Sequence, residues 1–184
     1  QEVIERVYPP EEFPYVRFVS NLTGYAPEEF PDGESMHPPS ERKITVGYRG
    51  RSLPIRYGQL GQEKSEIGRV VKQYCKSKGI NHDIAWTEDA RIYGAKWYEF
   101  MASCRSMLGT ESGSNVFDWD KTLLSHIEAF HHSNSNATNE DVYRAVIEPH
   151  EIPGLMNQVS PRVFEAIALR TVLVLFEGNY SGVV

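Results

Sequence analysis

The chain has 184 residues, 40% hydrophobic and 24% charged, an ordinary globular mixture able to bury a real core. Its net charge of −6 argues against a general nucleic-acid or anionic-membrane binder, so any phosphate site has to be local. No apolar run approaches the length of a membrane span.

Residues 1–42 are rich in Pro and Glu and read as an arm or linker; aromatic residues recur through it at Tyr8, Phe13, Tyr15, Phe18, Tyr25 and Phe30, which argues for an extended arm packed on a surface. Within it, Val16 to Tyr25 is a candidate short strand. Residues 43–184 read as the folded domain. Lys43 to Tyr48 is the first core strand. It runs into a Gly-rich loop holding Arg49 and Arg51, then a helix over about Gln62 to Ser77, with Ile67, Val70, Val71 and Tyr74 inward and Gly79 as its stop. Asp83 to Trp86 is the second strand. Gly94 to Arg105 is the next helix, with Trp97, Phe100, Met101 and Cys104 inward, and Ser106 to Thr110 the third strand. That strand ends in a small-residue loop, Glu111-Ser112-Gly113-Ser114. Helices over Lys121 to His132 and Asn139 to His150 follow, the second with a capping box of Thr138 and Asp141.

The closing stretch, Ser160 to Gly178, is the most informative. Ser160 as N-cap and Pro161 at the first helical position start a short helix, with Val163, Phe164, Ile167 and Ala168 on one face. Val172 to Phe176 is apolar on both faces, the pattern of a strand buried between helix layers. The element order is that of an α/β fold, a Rossmann-like doubly wound parallel sheet. Ligands of such sheets bind outside the carboxyl ends of the strands, near helix N-termini.

That rule singles out two constellations. Arg49, Arg51 and Lys64 surround the Gly-rich loop, where backbone N–H groups and the dipole of the helix starting at Gln62 favour an anion. They suggest a diphosphate pocket; the alternative is surface solubilisation, with Lys64 paired to Glu63 or Glu66. Glu111 and Glu165 would both stand at carboxyl ends of neighbouring strands, as an acid/base pair or as acceptors for ligand hydroxyls, or else as unrelated polar residues. Ser160 and Arg162 fall near any anionic ligand, and Ser112 lies in the loop beside Glu111. No G-x-G-x-x-G or P-loop occurs. A metal site is not expected: the histidines lack ligand spacing, and Asp118 and Asp120 read equally as turn and cap residues. Cys75 and Cys104 lie in predicted helices and read as reduced cytosolic thiols, so a cytoplasmic location is expected. The sequons at Asn21, Asn136 and Asn179, with no signal peptide, read as accidental.

The segments YRGRSLPIRYGQLGQEKSEIG, HDIAWTEDARIYGAKWYEF, MLGTESGSNVFDWD and SPRVFEAIALRTVLVLFEGNYSG span roughly Lys43 to Val184. They resemble the C-terminal donor-binding half of a glycosyltransferase of the two-Rossmann-domain (GT-B) type, in the group near the spore-protein-like glycosyltransferases. The last segment resembles the E-A-x-A helix–strand signature. Gln59 to Lys64 is similar to the phosphate loop of related enzymes, with Gln59 where Arg is usual, which hands that role to Arg49 or Arg51. Glu165 matches the second of a pair of glutamates in the family pattern. Nothing eight residues earlier matches the first, and Glu111 is the candidate replacement.

The resemblance implies a nucleotide-diphosphate sugar as substrate, with Arg49, Arg51 and Lys64 on the diphosphate and Glu165 accepting from ribose hydroxyls. It implies no cofactor or metal, and a carbohydrate or other acceptor. Acceptor site and catalytic base would come from an N-terminal domain that these residues do not include, so the chain is expected to be a partial one, cut short at its C-terminus and weakly active alone. The alternative is a non-catalytic nucleotide- or sugar-binding module, or a protein-interaction module, of the same fold.

Overall fold

A computed structural model describes residues 4–5, 8–19, 21–26 and 37–184. Phe30 and most of the second Pro-rich tract lie outside the described residues. The strands are β1 (Ile44–Arg49), β2 (His82–Ala85), β3 (Cys104–Gly109) and β4 (Val172–Leu175). The helices are α1 (Gly58–Lys78), α2 (Ala95–Ala102), α3 (Thr122–Ser133), α4 (Asn139–Val142) and α5 (Pro161–Ala168).

The strands form a four-stranded sheet in the order β2-β1-β3-β4. Every pairing is parallel, with Tyr48 opposite Ile84, Gly47 opposite Met107 and Leu108 opposite Val174. Chain order therefore reverses between β1 and β3: β2 lies on one side of this pair and β4 on the other. This is a Rossmann-like doubly wound α/β fold, and the reversal opens a crevice at the carboxyl ends of β1 and β3.

Alternation along the strands feeds separate cores. Tyr48 and Leu108 turn to one face with Ile67 and Cys75 of α1 and Ile84 of β2. Met107 turns to the other with Phe100 and Met101 of α2 and Ala166 of α5. Gly47 is needed on this second face, because a Cβ there would sit 2.3 Å from Cys104 Sγ and 2.9 Å from Met107 Sδ. A third cluster joins Leu123 and Ile127 of α3 to Val142, Val146 and Ile147.

Several expectations need correction. The stretch from Val16 to Tyr25 holds no strand among its described residues. Tyr15 is fully open to solvent, Tyr8 packs with Phe13 and Phe18, and the arm meets the domain where the Thr23 hydroxyl donates to the Val159 carbonyl. The helix expected to run to Arg105 ends at Ala102, and β3 begins at Cys104; the Ser103 N–H closes the helix by donating to the Glu99 carbonyl. The helix expected over Asn139 to His150 keeps its Thr138–Asp141 capping box but loosens after Val142 into a π turn and then a 3-10 turn around Pro149. β4 is an edge strand with Val172 and Val174 exposed, not a strand covered on both faces. In α5 the buried residues are Val163 and Ala166, while Ile167 is exposed. Likewise Val70 and Tyr74 of α1 are exposed, and Leu60, Ile67 and Cys75 are its buried apolar positions. Gly79 ends α1 as expected, left-handed with its N–H donating to the Cys75 and Lys76 carbonyls.

Arg42, at the end of the stretch read as an arm, is 3% exposed. Its guanidinium donates to the carbonyls of His37, Cys104 and Leu169 and to the Thr171 hydroxyl. It thus pins the approach to β1 against the starts of β3 and β4 and the end of α5. Arg42→Ala strands buried acceptors, so we expect a loss of about 3 kcal/mol in urea unfolding, with Arg42→Lys failing to restore it. A loss below about 1 kcal/mol would remove Arg42 from this role.

Candidate functional site

A cleft of about 540 Å³ opens over the carboxyl ends of β1 and β3. The loop after β1 contributes Arg49 and Arg51, and α1 contributes Lys64. The segment from β2 into α2 contributes Arg91, Tyr93 and Trp97. The loop after β3 contributes Thr110 and Gly113, and the start of α5 contributes Ser160 and Arg162. Among the described residues no Asp or Glu lines this cleft, in a chain whose net charge is −6.

Local sequence explains how α1 reaches the cleft. The Tyr48 hydroxyl donates to the Lys64 carbonyl at 2.6 Å, and Gly50 lets the chain pass beneath: a Cβ there would lie 2.8 Å from the same carbonyl. The Lys64 ammonium then extends to the loop after β3, donating to the Glu111 carbonyl at 3.1 Å and the Ser112 hydroxyl at 3.3 Å. Both acceptors are neutral. Burial, and next the positive charge of Arg162, pull the Lys64 ammonium down to about 8, against a smaller opposing pull from Glu63. The alternative pairing of Lys64 with Glu66 does not form, because Glu66 binds Arg69.

Arg162 lies across the point of reversal. Its guanidinium donates to the Leu108 carbonyl at the end of β3 (3.3 Å) and to the Arg49 carbonyl at the end of β1 (2.5 Å). It is held between aromatic rings, 5.0 Å from the centroid of Tyr48 and 5.5 Å from that of Trp97.

The cations differ in what neutralises them. Arg49 pairs with Asp83 at 2.8 Å and stacks over Phe100, and Arg91 pairs with Glu88 at 2.7 Å. Arg51 is exposed and makes no hydrogen bond or ion pair among the described residues. Arg51, Lys64 and Arg162 are therefore the lining cations without a carboxylate partner among those residues.

The glutamates are placed differently. Glu111 is 5% exposed and does not line the cleft. Its carboxylate accepts from Asn157 Nδ2 at 2.6 Å and from the Tyr180 N–H at 2.8 Å, tying the loop after β4 to the loop after β3. Glu165 also stands behind the cleft wall, where Oε2 accepts from the Trp97 indole N–H at 2.9 Å. The two carboxylates therefore do not face one crevice as an acid/base pair. Ser112 is set behind the lining, bridged to Gln158 by paired backbone hydrogen bonds. Ser160 occupies the N-cap position of α5 without a side-chain capping bond, and its residue borders the cleft.

Helix α1 starts earlier than expected, at Gly58, and Glu151 accepts from the Gln59 N–H. Its N-terminus is thus closed by a side chain, and the helix starts bordering the cleft are those of α2, at Gly94, and α5, at Ser160. Asp118 accepts from the Leu123 and Leu124 N–H groups and Asp120 from Thr122, which makes both caps of α3. Among the described residues no group of His, Cys, Asp and Glu is arranged to hold a metal, and no helix is long and apolar enough to cross a membrane.

Sequence reasoning turned Trp97 inward to the core; it packs there, and it is also a cleft wall, a role that reasoning missed. No local signal separates the two, since both need the same inward helical position. Comparison with protein-family models, curated proteins and solved structures finds no significant match.

The depressed Lys64 value carries a sign. Between about 8 and the unfolded lysine value of about 10.4 the folded chain holds fewer protons, so this group makes stability rise with pH across that window. Below about 8 both states hold the proton and the burial penalty is constant. Unfolding free energies of wild type minus Lys64→Met should therefore climb from pH 7 to pH 10. A flat difference would mean that Lys64 is solvated like a surface lysine.

Proposed function

We propose that this chain is the donor-binding domain of a glycosyltransferase with two Rossmann-like domains, and that the cleft takes the diphosphate of a nucleotide sugar. The supporting observation is the imbalance of charge: Arg51, Lys64 and Arg162 converge on a cleft that no carboxylate lines among the described residues. A guanidinium and an ammonium held together in a partly desolvated site repel each other, and an anion between them relieves that repulsion. A diphosphate suits this set, since Arg gives forked donors and Lys a compact charge. The position at the strand-order reversal, beside the start of α5, agrees with where doubly wound sheets hold nucleotides. The sequence resemblance supplies the reaction class.

In this reading the acceptor's nucleophilic atom bonds to the sugar's anomeric carbon and gives its proton to a base. The bond from that carbon to the β-phosphate oxygen breaks, and its electron pair leaves with the nucleoside diphosphate. Negative charge grows on that oxygen. Arg51, Lys64 and Arg162 stabilise it electrostatically. Among the described residues no carboxylate or histidine lines the cleft, so in this reading the group that activates the acceptor comes from outside that lining. That same fact favours a second reading, a non-catalytic nucleotide- or sugar-binding module. Turnover by the full-length protein separates the two.

Calorimetric titration with UDP, GDP, ADP, CDP and dTDP, and with their sugar conjugates, tests binding. One base should bind, and Arg51→Ala should weaken it by about tenfold at low salt while leaving the fold intact. Failure of every member to bind, or indifference to Arg51→Ala, would contradict the reading.

A further inference from the structure

Arg162 and Glu165 stand three residues apart on α5, the spacing at which Arg and Glu on a helix surface meet as an ion pair. In this structure they do not pair. Arg162 donates to the carbonyls ending β1 and β3, and Glu165 accepts from the Trp97 indole N–H. The indole of Trp97, from α2, spans the gap: its N–H engages Glu165 and its ring lies 5.5 Å from the Arg162 guanidinium. The same ring lines the cleft. One aromatic side chain therefore occupies the carboxylate and flanks the cation.

We propose that Trp97 is a positioning residue: by engaging Glu165 it keeps that carboxylate off Arg162 and leaves the Arg162 charge available to an anionic ligand. This rests on the anion-binding reading above and departs from it at Glu165, which serves the site through Trp97 and does not touch ribose. The physical basis is simple. Glu165 needs a donor, and a half-buried carboxylate takes the best within reach. The indole N–H is donor-only, so the bond formed leaves the guanidinium unneutralised. Remove that donor and Arg162, one turn away on the same helix, is a charged replacement. The ion pair then formed would compete with a phosphate for the same fork of N–H groups. Tyr48 closes the other side, its ring 5.0 Å from the guanidinium, and offers no negative charge while its phenol stays protonated; burial raises that phenol above its ordinary value. The other charged groups around Arg162 are Lys64, across the cleft, and Arg49, whose carbonyl it binds and whose own charge is met by Asp83.

Binding of inorganic pyrophosphate and of the tightest nucleoside diphosphate, measured by calorimetry at low salt, tests this with a small set of variants. Trp97→Phe keeps a ring in place and removes the donor; it should weaken both ligands by about tenfold. Glu165→Gln alone should change little, since the amide oxygen still accepts from the indole. Adding Glu165→Gln to Trp97→Phe should restore binding to within about twofold of wild type, because the competitor no longer carries charge. Trp97→Leu, alone and with Glu165→Gln, repeats the comparison with a second donor-free side chain should the Phe variant not fold.

Rescue is the outcome that a merely structural tryptophan does not produce. If Trp97→Phe binds like wild type, or if the double variant stays as weak as Trp97→Phe, the proposal falls and the anion reading survives. If Glu165→Gln weakens the nucleoside diphosphate and spares pyrophosphate, Glu165 contacts ribose and the proposal is wrong. If wild type binds neither ligand, the anion reading fails, and this inference with it.

Discussion

The guanidinium of Arg162, bonded to the carbonyls that end β1 and β3, holds closed the point where the strand order reverses. Open carbonyl groups at that point would otherwise face the crevice and give it negative polarity. Arg162 covers them with a cation and keeps donors to spare, since a guanidinium carries more N–H groups than the strand ends use. Around it the chain arranges a single electrostatic sign. Lys64 comes from the second turn of α1, Arg51 from the loop after β1, and the acidic side chains nearby are each committed elsewhere. Glu111 secures the loop after β4, Glu165 faces Trp97, and Asp83 and Glu88 neutralise cations that the cleft does not leave uncompensated.

Desolvation sharpens the contrast. Lys64 meets only a carbonyl and a hydroxyl, and it loses charge more readily than a surface lysine. Such a group is costly to keep unless something recovers the cost. In the proposed reading an anion entering the cleft offsets that cost. Glu63, half-buried beside Lys64 in α1, shows the opposite sign: burial and the neighbouring Glu111 charge push its carboxyl up. The two sides of α1 at this level therefore differ in polarity, one turned to the cleft and one turned away.

The doubly wound order was legible because each element carries its own period or punctuation. The KITVGY run, the Gly79 stop, the Thr138–Asp141 box and the Ser-Pro start of α5 are local signals, and each element is present. What local signals do not encode is what lies opposite. The apolar run of β4 reads the same whether or not a layer covers Val172 and Val174. Ile167 has the helical phase of a core residue but is exposed among the described residues. Arg42 looked like part of an arm because its buried acceptors, Cys104 and Leu169, lie 62 and 127 residues away. For the site, strand-end logic gathered Arg49, Arg51, Lys64, Ser160 and Arg162 at one cleft. It could not tell lining from backing: Glu111 and Ser112 sit in the right loop and Glu165 on the right helix, and all turn behind the wall. Their partners, Asn157, Gln158 and Trp97, come from segments whose relation to them only the fold sets.

The central claim is that the cleft at the strand reversal is an anion site. It is tested most directly by following backbone amide resonances of the whole chain as inorganic pyrophosphate is added. The account requires saturable shifts at Gly50–Ser52, Ser112–Ser114, Ser160 and Arg162, the backbone around the unpaired cations, with β2 and the Asn134–Ala137 loop unmoved. Shifts spread evenly over surface lysines, or concentrated away from these loops, would contradict it.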